Sequence, residues 1–303
     1  MKEETPDDVS LKSASEFIQP VVEKFYPPEG AVQGTPLEWA KIPVRVFPGE
    51  VSIWFGINGH GKSLLLNQIM LGLACKGEPG GIASFEMPAP KTLYRMARQA
   101  LGKENPTEAE IKACMRWLGD KIYIYDKTGT GNAETLRRVF NRARAQQKVQ
   151  HFLIDSLMKC GIDPDDYAKQ KKFVDLFQNF AQDYGVHINI IAHARKSKDE
   201  DDRPGKMDVK GASEITDLAD NVFSIWRNKN KQDMIKQYYE TKILPKGTTY
   251  EELQKRPDCI LDCCKHREMG GDAEGQYGLY FHRPSMQFIE TVEHKPIEYF
   301  GLP

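Results

Sequence analysis

The chain has 303 residues and a net charge of −1, which allows one large α/β domain or two small ones and confines any nucleic-acid binding to local patches. Its six cysteines have no regular spacing and fit free thiols in a reducing compartment. The absence of an apolar run near the ~18 residues that span a bilayer, and of a signal-peptide core, predicts a cytoplasmic protein without a membrane partner.

Residues 1–34 are predicted to form a tail, a short helix and a linker ahead of a main domain at 35–303. Ser13 is placed as the N-cap of an amphipathic helix that runs to Phe25. Its apolar face comprises Phe17, Ile18, Val21, Val22 and Phe25. This face can fold back on its own domain or dock on a neighbouring subunit, and the spacing alone favours neither.

From residue 50 onward, predicted strands alternate with predicted helices, as a mostly parallel sheet flanked by helices requires. The strands are expected at 50–55, 81–86, 121–125, 150–155 and 186–192, and the helices at 62–76, 89–101, 107–118, 132–147 and 168–184. The later elements are a strand at 221–226, a polar irregular stretch at 228–257, a C-terminal β-hairpin of 259–266 and 276–282, and a short strand at 286–289. The predicted fold class is α/β.

The most specific motif is Gly-Ile-Asn-Gly-His-Gly-Lys-Ser at 56–63, a complete G-x-x-x-x-G-K-[ST] phosphate-binding loop. A strand before it and a helix after it allow backbone N–H groups to point at phosphate oxygens. Lys62 would reach the β- and γ-phosphates of ATP, and the Ser63 hydroxyl would ligate Mg²⁺. The predicted nucleotide-binding residues are Gly56, Ile57, Asn58, Gly59, His60, Gly61, Lys62, Ser63 and Leu64, with the His60 side chain incidental.

Three polar residues follow the ends of later predicted strands, where α/β sheets bind ligands. Asp155 is placed to hold Mg²⁺, although many buried strands end in aspartate. Glu86 can accept a proton from the water that attacks the γ-phosphate, or be a solvated charge at a strand end. His193 can bond a γ-phosphate oxygen, or be only a satisfied polar group.

Five motifs together resemble those of the DnaB-type hexameric replicative helicases. They are Gly56–Ser63, Ser84-Phe-Glu-Met, Phe152-Leu-Ile-Asp-Ser-Leu, Ile190-Ile-Ala-His-Ala-Arg-Lys and Lys210-Gly-Ala-Ser-Glu-Ile-Thr-Asp-Leu-Ala-Asp. The set is most similar to the helicase half of bacteriophage primase–helicases and to the mitochondrial Twinkle helicase, over about residues 35–290. This resemblance implies a RecA-like P-loop core, a homo-oligomeric ring of six subunits with nucleotide between them, and single-stranded DNA in the central channel.

Roles carried over from the resemblance extend the site. Glu86 becomes the catalytic base, Asp155 the metal ligand and His193 the γ-phosphate sensor. Lys265 and Arg267 resemble the trans-acting Lys-x-Arg pair that reaches the neighbour's γ-phosphate, whereas composition alone would make them an exposed basic hairpin. The loop after His193 resembles the channel loop, so Lys206, Lys210 and Gly211 are the predicted DNA-binding residues. The resemblance also favours docking of the N-terminal helix on an adjacent subunit.

Two further features are interpreted conservatively. The basic helix with Arg137, Arg138, Arg142, Arg144 and Lys148 is expected to be a solvated face. Cys259, Cys263 and Cys264 lack the paired spacing of a structural zinc site and are expected to be buried thiols. The primase part of phage relatives has no counterpart in this sequence, so no primase activity is expected.

The predicted function is an ATP-dependent replicative helicase that moves 5′→3′ on single-stranded DNA as a ring, in a bacterial or phage-infected cell, with primase or polymerase as candidate partners. One alternative is a RecA-type recombination ATPase, which would pair homologous strands without unwinding. Another is a regulatory ATPase or helicase loader, whose turnover would not respond to single-stranded DNA.

Overall fold

The computed structural model describes residues 12–28, 34–163, 166–194, 203 and 213–301. The chain divides into two compact units between residues 33 and 34. In the first unit, helix α1 (Ile18–Phe25) follows a 3-10 turn at Ala14–Phe17. Ser13 caps that turn through a reciprocal bond with Glu16, which confirms the predicted N-cap.

The second unit alternates strands and helices along most of its length. Its strands are β1 (Thr35–Pro36), β2 (Arg45–Val46), β3 (Val51–Phe55), β4 (Gly80–Ser84), β5 (Ile122–Ile124), β6 (His151–Asp155), β7 (His187–Ile191), β8 (Asn221–Arg227), β9 (Cys259–His266), β10 (Gly275–His282) and β11 (Gln287–Ile289). Its helices are α2 (Lys62–Cys75), α3 (Ala89–Leu101), α4 (Glu108–Leu118), α5 (Ala133–Gln147), α6 (Tyr167–Tyr184), α7 (Ser213–Leu218), α8 (Lys229–Thr241) and α9 (Tyr250–Lys255).

Nine of these strands form one sheet in the order β11-β10-β9-β8-β3-β7-β6-β4-β5. Strands β3 to β8 pair in parallel, and β9, β10 and β11 add an antiparallel flank beside β8. The predicted mostly parallel sheet and C-terminal hairpin are therefore confirmed. The parallel strands share one carboxyl edge, where the phosphate loop begins, and one amino edge.

Apolar residues cover both faces of the sheet, because successive strand side chains point to opposite sides. In β3, Trp54 packs with helices α2, α3 and α4 on one face, whereas Ile53 and Phe55 pack with α5 and α6 on the other. Helix α2 is buried along most of its length. The helix that follows the phosphate loop is thus fixed in the core.

The prediction of an irregular stretch at 228–257 is wrong, because α8 and α9 lie there. Both helices begin at polar caps: the Asn228 side chain accepts from the Lys231 N–H, and Thr249 and Glu252 form a capping box. Their polar composition reflects exposure, not irregular structure. Across the described ranges, none of the helices combines the length and apolarity that a bilayer span needs.

Candidate active site

The phosphate loop leaves the carboxyl end of β3 and passes into α2 by a path that requires glycine at two points. A Cβ on Gly56 would lie 2.3 Å from the carbonyl oxygen of Ile225 in neighbouring β8. Gly61, the N-cap of α2, has a φ of +89°, which L-residues with side chains rarely adopt. The loop therefore turns tightly and presents the N-terminus of α2 to the cleft beside it.

Lys62 is a buried ammonium group, with a relative exposure of 6%. Its Nζ donates to the carbonyl oxygens of Gly56 and Ile57, at 2.8 and 3.1 Å. Burial lowers the pKa of Lys62 to about 8, against the attraction of Asp155 and Glu86. A buried cation held by carbonyl groups beside a helix N-terminus fits a polyphosphate anion.

Asp155 ends the buried strand β6 and is itself buried. It forms a hydrogen bond with the Ser63 hydroxyl at the start of α2. Burial raises the pKa of Asp155 to about 6, although the bond from Ser63 favours the charged form. A hydroxyl and a carboxylate that share one position form an oxygen donor set of the kind that Mg²⁺ takes.

Glu86 lies two residues beyond β4, and its carboxylate is held from two sides. The Ser156 hydroxyl donates to Oε1 at 2.7 Å, and His193 Nε2 lies 3.4 Å from the same oxygen. Hydrogen bonding to His193 and then to Ser156 lowers the pKa of Glu86 to about 2, despite partial burial. The other ring nitrogen of His193, Nδ1, is buried and has no hydrogen-bond partner in the described parts of the chain.

The residues at this edge line one cleft of about 490 Å³. Lys62, Ser63, Glu86, Asp155 and His193 all border it, so the structure brings together the five side chains predicted for the nucleotide, the metal and the reacting water. Three residues that sequence reasoning missed also line it: Arg95, Arg227 and Met286. Only the position of Arg95 on the helix after Glu86 could have signalled one of them.

A smaller cavity of about 130 Å³ lies on the far side of the glycine turn. Its lining includes His60, Arg227, Phe281 and Phe288. His60 is buried, and its Nδ1 accepts the backbone N–H of Arg227 at 3.1 Å. The interpretation of the His60 side chain as incidental is therefore wrong, because it ties the phosphate loop to the end of β8.

Lys265 and Arg267 lie at the opposite edge of the sheet. Strands β8 and β9 are antiparallel, with Asn221 opposite His266, so the end of β9 lies beside the start of β8. Asn221 also pairs with Ser52 near the start of β3. The five-residue length of β3 separates the two edges by roughly 17 Å. Within one chain, the two basic residues are therefore apart from the cleft.

The other residues that the sequence singled out are placed as follows. Lys206, Lys210 and Gly211 lie outside the described residues. Cys259 and Cys263 are buried and Cys264 is partly buried, all as free thiols. Among the residues that the structure describes, no cluster of histidine, cysteine and acidic side chains could hold a metal ion.

Comparison with known proteins agrees with this geometry. A family model described as an AAA domain matches residues 29–199, more than half of the chain. A solved helicase-like ATPase domain is similar over 93% of this chain and 99% of that chain, with a TM-score of 0.71 and 14% sequence identity. A DnaB-like replicative helicase, solved in a study of its interactions with primase, is similar over 91% of this chain and 68% of that chain, with a TM-score of 0.69 and 14% identity.

At 14% identity these likenesses show a shared fold. They confirm the RecA-like core that the five motifs predicted, and with it the resemblance in fold to DnaB-type helicases. The family match includes the phosphate loop, Glu86, Asp155 and His193, whereas Lys265 and Arg267 lie beyond its end.

Proposed function

The chain belongs to the AAA-domain family, and from this premise we propose that it is an ATP-dependent DNA helicase motor. One observation carries the proposal. Side chains from the phosphate loop and from the ends of three further strands, β4, β6 and β7, face a single cleft. They are Lys62, Ser63, Glu86, Asp155 and His193.

ATP is the proposed substrate, and the loop residues divide its binding between them. Lys62 and the backbone N–H groups of residues 56–63 hold the β- and γ-phosphates. Ser63 and Asp155 are the residues that would hold Mg²⁺. When bound, the ion neutralises charge that develops on the phosphate oxygens.

Glu86 orients the attacking water and accepts its proton. In the structure, its contact with His193 keeps the pKa of Glu86 low, which makes the carboxylate a weak base. A γ-phosphate oxygen competes for His193, and loss of the His193 contact raises the basicity of Glu86. Because His193 lies just before the segment at 196–212, the same movement links hydrolysis to the proposed DNA loop.

Lys265 and Arg267 complete the site of a second copy of the chain. Their position at the amino edge, roughly 17 Å from the cleft of their own chain, supports a role in trans. An arginine supplied across an interface stabilises the charge that builds up in phosphoryl transfer. The exposed apolar residues of α1, which include Ile18, Val21 and Phe25, are the proposed docking face in a ring of six subunits.

DNA binding is proposed for the segment after His193, with Lys206, Lys210 and Gly211 on the backbone of single-stranded DNA and translocation in the 5′→3′ direction. Differential DNA affinity between nucleotide states is what makes such an ATPase a motor. The fold shared with a DnaB-like replicative helicase supports this assignment, and the study of that helicase with primase supports a primase as a candidate partner.

The test is the steady-state ATPase rate of the full chain with and without single-stranded DNA, together with unwinding of forked duplexes. We expect stimulation by DNA and unwinding from a 5′ tail. Turnover indifferent to DNA would instead indicate a regulatory ATPase or loader. Homologous pairing without unwinding would indicate a RecA-type recombination ATPase.

The same assay tests the shared site. Arg267→Ala should lower turnover by about 10³-fold, the size of effect known for arginine fingers. Lys62→Ala subunits cannot hydrolyse ATP but still carry Arg267. Mixing them with Arg267→Ala subunits should therefore restore part of the activity. Full turnover in Arg267→Ala alone would exclude a composite site.

A further inference from the structure

Both basic residues at the amino edge are bound to the short segment 216–220 of their own chain. Lys265 Nζ donates to the carbonyl oxygens of Thr216, Asp217 and Ala219, at 3.1, 3.1 and 2.6 Å. An ammonium group has three donors, and each has an acceptor at the end of α7. This segment is therefore a platform for the cations of β9.

Arg267 uses the same platform through an ion pair. Its Nη1 lies 2.7 Å from Asp220 Oδ1, its Nη2 donates to the Leu218 carbonyl oxygen at 3.4 Å, and its backbone N–H donates to the Asp220 carbonyl oxygen at 3.0 Å. The Arg267 side chain is nonetheless 53% exposed, whereas that of Asp220 is 5% exposed. The guanidinium thus faces outward from a buried anion.

The Asp220 carboxylate is fixed from behind. Its Oδ2 accepts the backbone N–H of Val51 at 2.9 Å and the Gln178 side-chain amide at 2.8 Å. These donors belong to β3 and α6, two elements of the rigid core. A guanidinium has five N–H donors, so a contact to Asp220 and Leu218 orients Arg267 and leaves donors for a second acceptor.

We propose that Asp220 is a positioning residue for the trans-acting Arg267: it holds the guanidinium at the subunit edge in the orientation that meets the phosphates of a neighbouring copy. The proposal rests on the composite site proposed above. Arginine is long and flexible, and a fixed anion at its base reduces the number of orientations that it must lose when the subunits meet. Asp220 itself touches no substrate.

The test is Asp220→Asn, which keeps an oxygen for the Val51 N–H and loses the charge. We expect kcat for ATP to fall about 10-fold, with KM within about 2-fold, because the variant's own cleft is intact. In the Arg267→Ala background, Asp220→Asn should cause no further loss. Addition of Lys62→Ala subunits should restore turnover, since they supply a correctly held Arg267 to the intact clefts.

Gln178→Met is the matched control, because it removes a partner of the same carboxylate without touching Arg267. We expect turnover within about 2-fold of wild type and no gain from Lys62→Ala subunits. A similar loss in both variants, or a raised KM in Asp220→Asn that mixing does not correct, would overturn the proposal. If Asp220→Asn does not fold, Asp220→Glu keeps the charge but displaces it, and the same mixing test applies.

The outcomes separate the two proposals. If Arg267→Ala is inactive and is restored by Lys62→Ala subunits while Asp220→Asn turns over like wild type, the composite site stands and the role of Asp220 is excluded. If Arg267→Ala keeps full turnover, the composite site fails and the positioning role fails with it.

Discussion

The two edges of the central sheet hold their charged residues under opposite conditions. At the carboxyl edge, burial shifts both Lys62 and Asp155 toward their neutral forms, with a pKa of about 8 and about 6. At the amino edge, Lys265 has three carbonyl partners and Arg267 has a carboxylate. The carboxyl edge therefore carries an electrostatic cost that a ligand can relieve, whereas the amino edge is satisfied within the chain.

This difference shows how one chain can contain both halves of a catalytic site and still be unable to combine them. The phosphate-binding half follows the carboxyl ends of β3, β4, β6 and β7, and the cationic half follows β9, which runs in the opposite direction. Closure of one protomer on itself would need the sheet to bend across its own length. A second copy can meet the cleft without any change of fold.

The largest expected effect tests whether the carboxyl edge carries the chemistry. Glu86→Gln keeps the shape of the side chain but removes the proton acceptor, so turnover should fall about 10³-fold. Binding of a fluorescent ATP analogue should be retained, because the phosphate loop is unchanged. Steady-state ATPase and equilibrium binding are the two measurements.

Ser156→Ala is the control for Glu86→Gln, because it removes the 2.7 Å bond to Glu86 and leaves the carboxylate. It should cost less than about 10-fold in turnover. If Glu86→Gln retains more than a tenth of wild-type activity, another group accepts the proton and the assignment to Glu86 is wrong.

A smaller effect is expected at the amino edge, where function and stability should be lost together. Lys265→Met keeps the length of the side chain but leaves the carbonyl groups at the end of α7 without its ammonium donors. We expect a loss of about 1 kcal/mol in the free energy of unfolding and a fall of about 10-fold or more in turnover. Urea denaturation and ATPase assays measure the two losses.

Only the loss of turnover in Lys265→Met should respond to added Lys62→Ala subunits, since these supply an intact basic pair. The lower stability belongs to the variant chain itself and should persist in the mixture. Unchanged stability in Lys265→Met would contradict the view that the amino edge is satisfied within the chain.

The sequence predicted the elements with strong period-2 patterns and the residues at their ends. Strands β3, β6 and β7 were placed to within one residue because their apolar runs are flanked by loop residues. Helices α8 and α9 were missed because a polar surface helix has no apolar stripe to detect. The capping box at Thr249 was their strongest local signal.

The candidate site was predictable where a motif fixes the residue, and not where only packing does. The phosphate loop and Asp155 follow from local spacing. Arg95 and Arg227 line the cleft because of how α3 and β8 pack beside it. The ion pair between Asp220 and Arg267 joins two chain segments through an antiparallel register, which no spacing in the sequence encodes.

The smallest expected effect has the opposite sign and tests the electrostatic cost at the carboxyl edge. The pKa of Asp155 in the folded chain is about 6, above its ordinary value of 3.8. The folded state therefore holds this proton more tightly than the unfolded state, so the stability contributed by the group falls as the pH rises from about 4 to about 6. Above that window the folded chain carries the full penalty of a buried charge.

Asp155→Asn removes that charge and keeps an oxygen that can accept from Ser63, although it also loses the attraction to Lys62. We expect the variant to unfold with about 1 kcal/mol more free energy than wild type at pH 8, with the difference shrinking toward pH 4, and to be inactive as an ATPase. Urea denaturation of both proteins across this pH range measures it, and the pKa shifts of other buried carboxyl groups are common to both proteins and cancel. A variant less stable than wild type at pH 8 would mean that Asp155 is already compensated in the free chain, and the contrast between the two edges would then disappear.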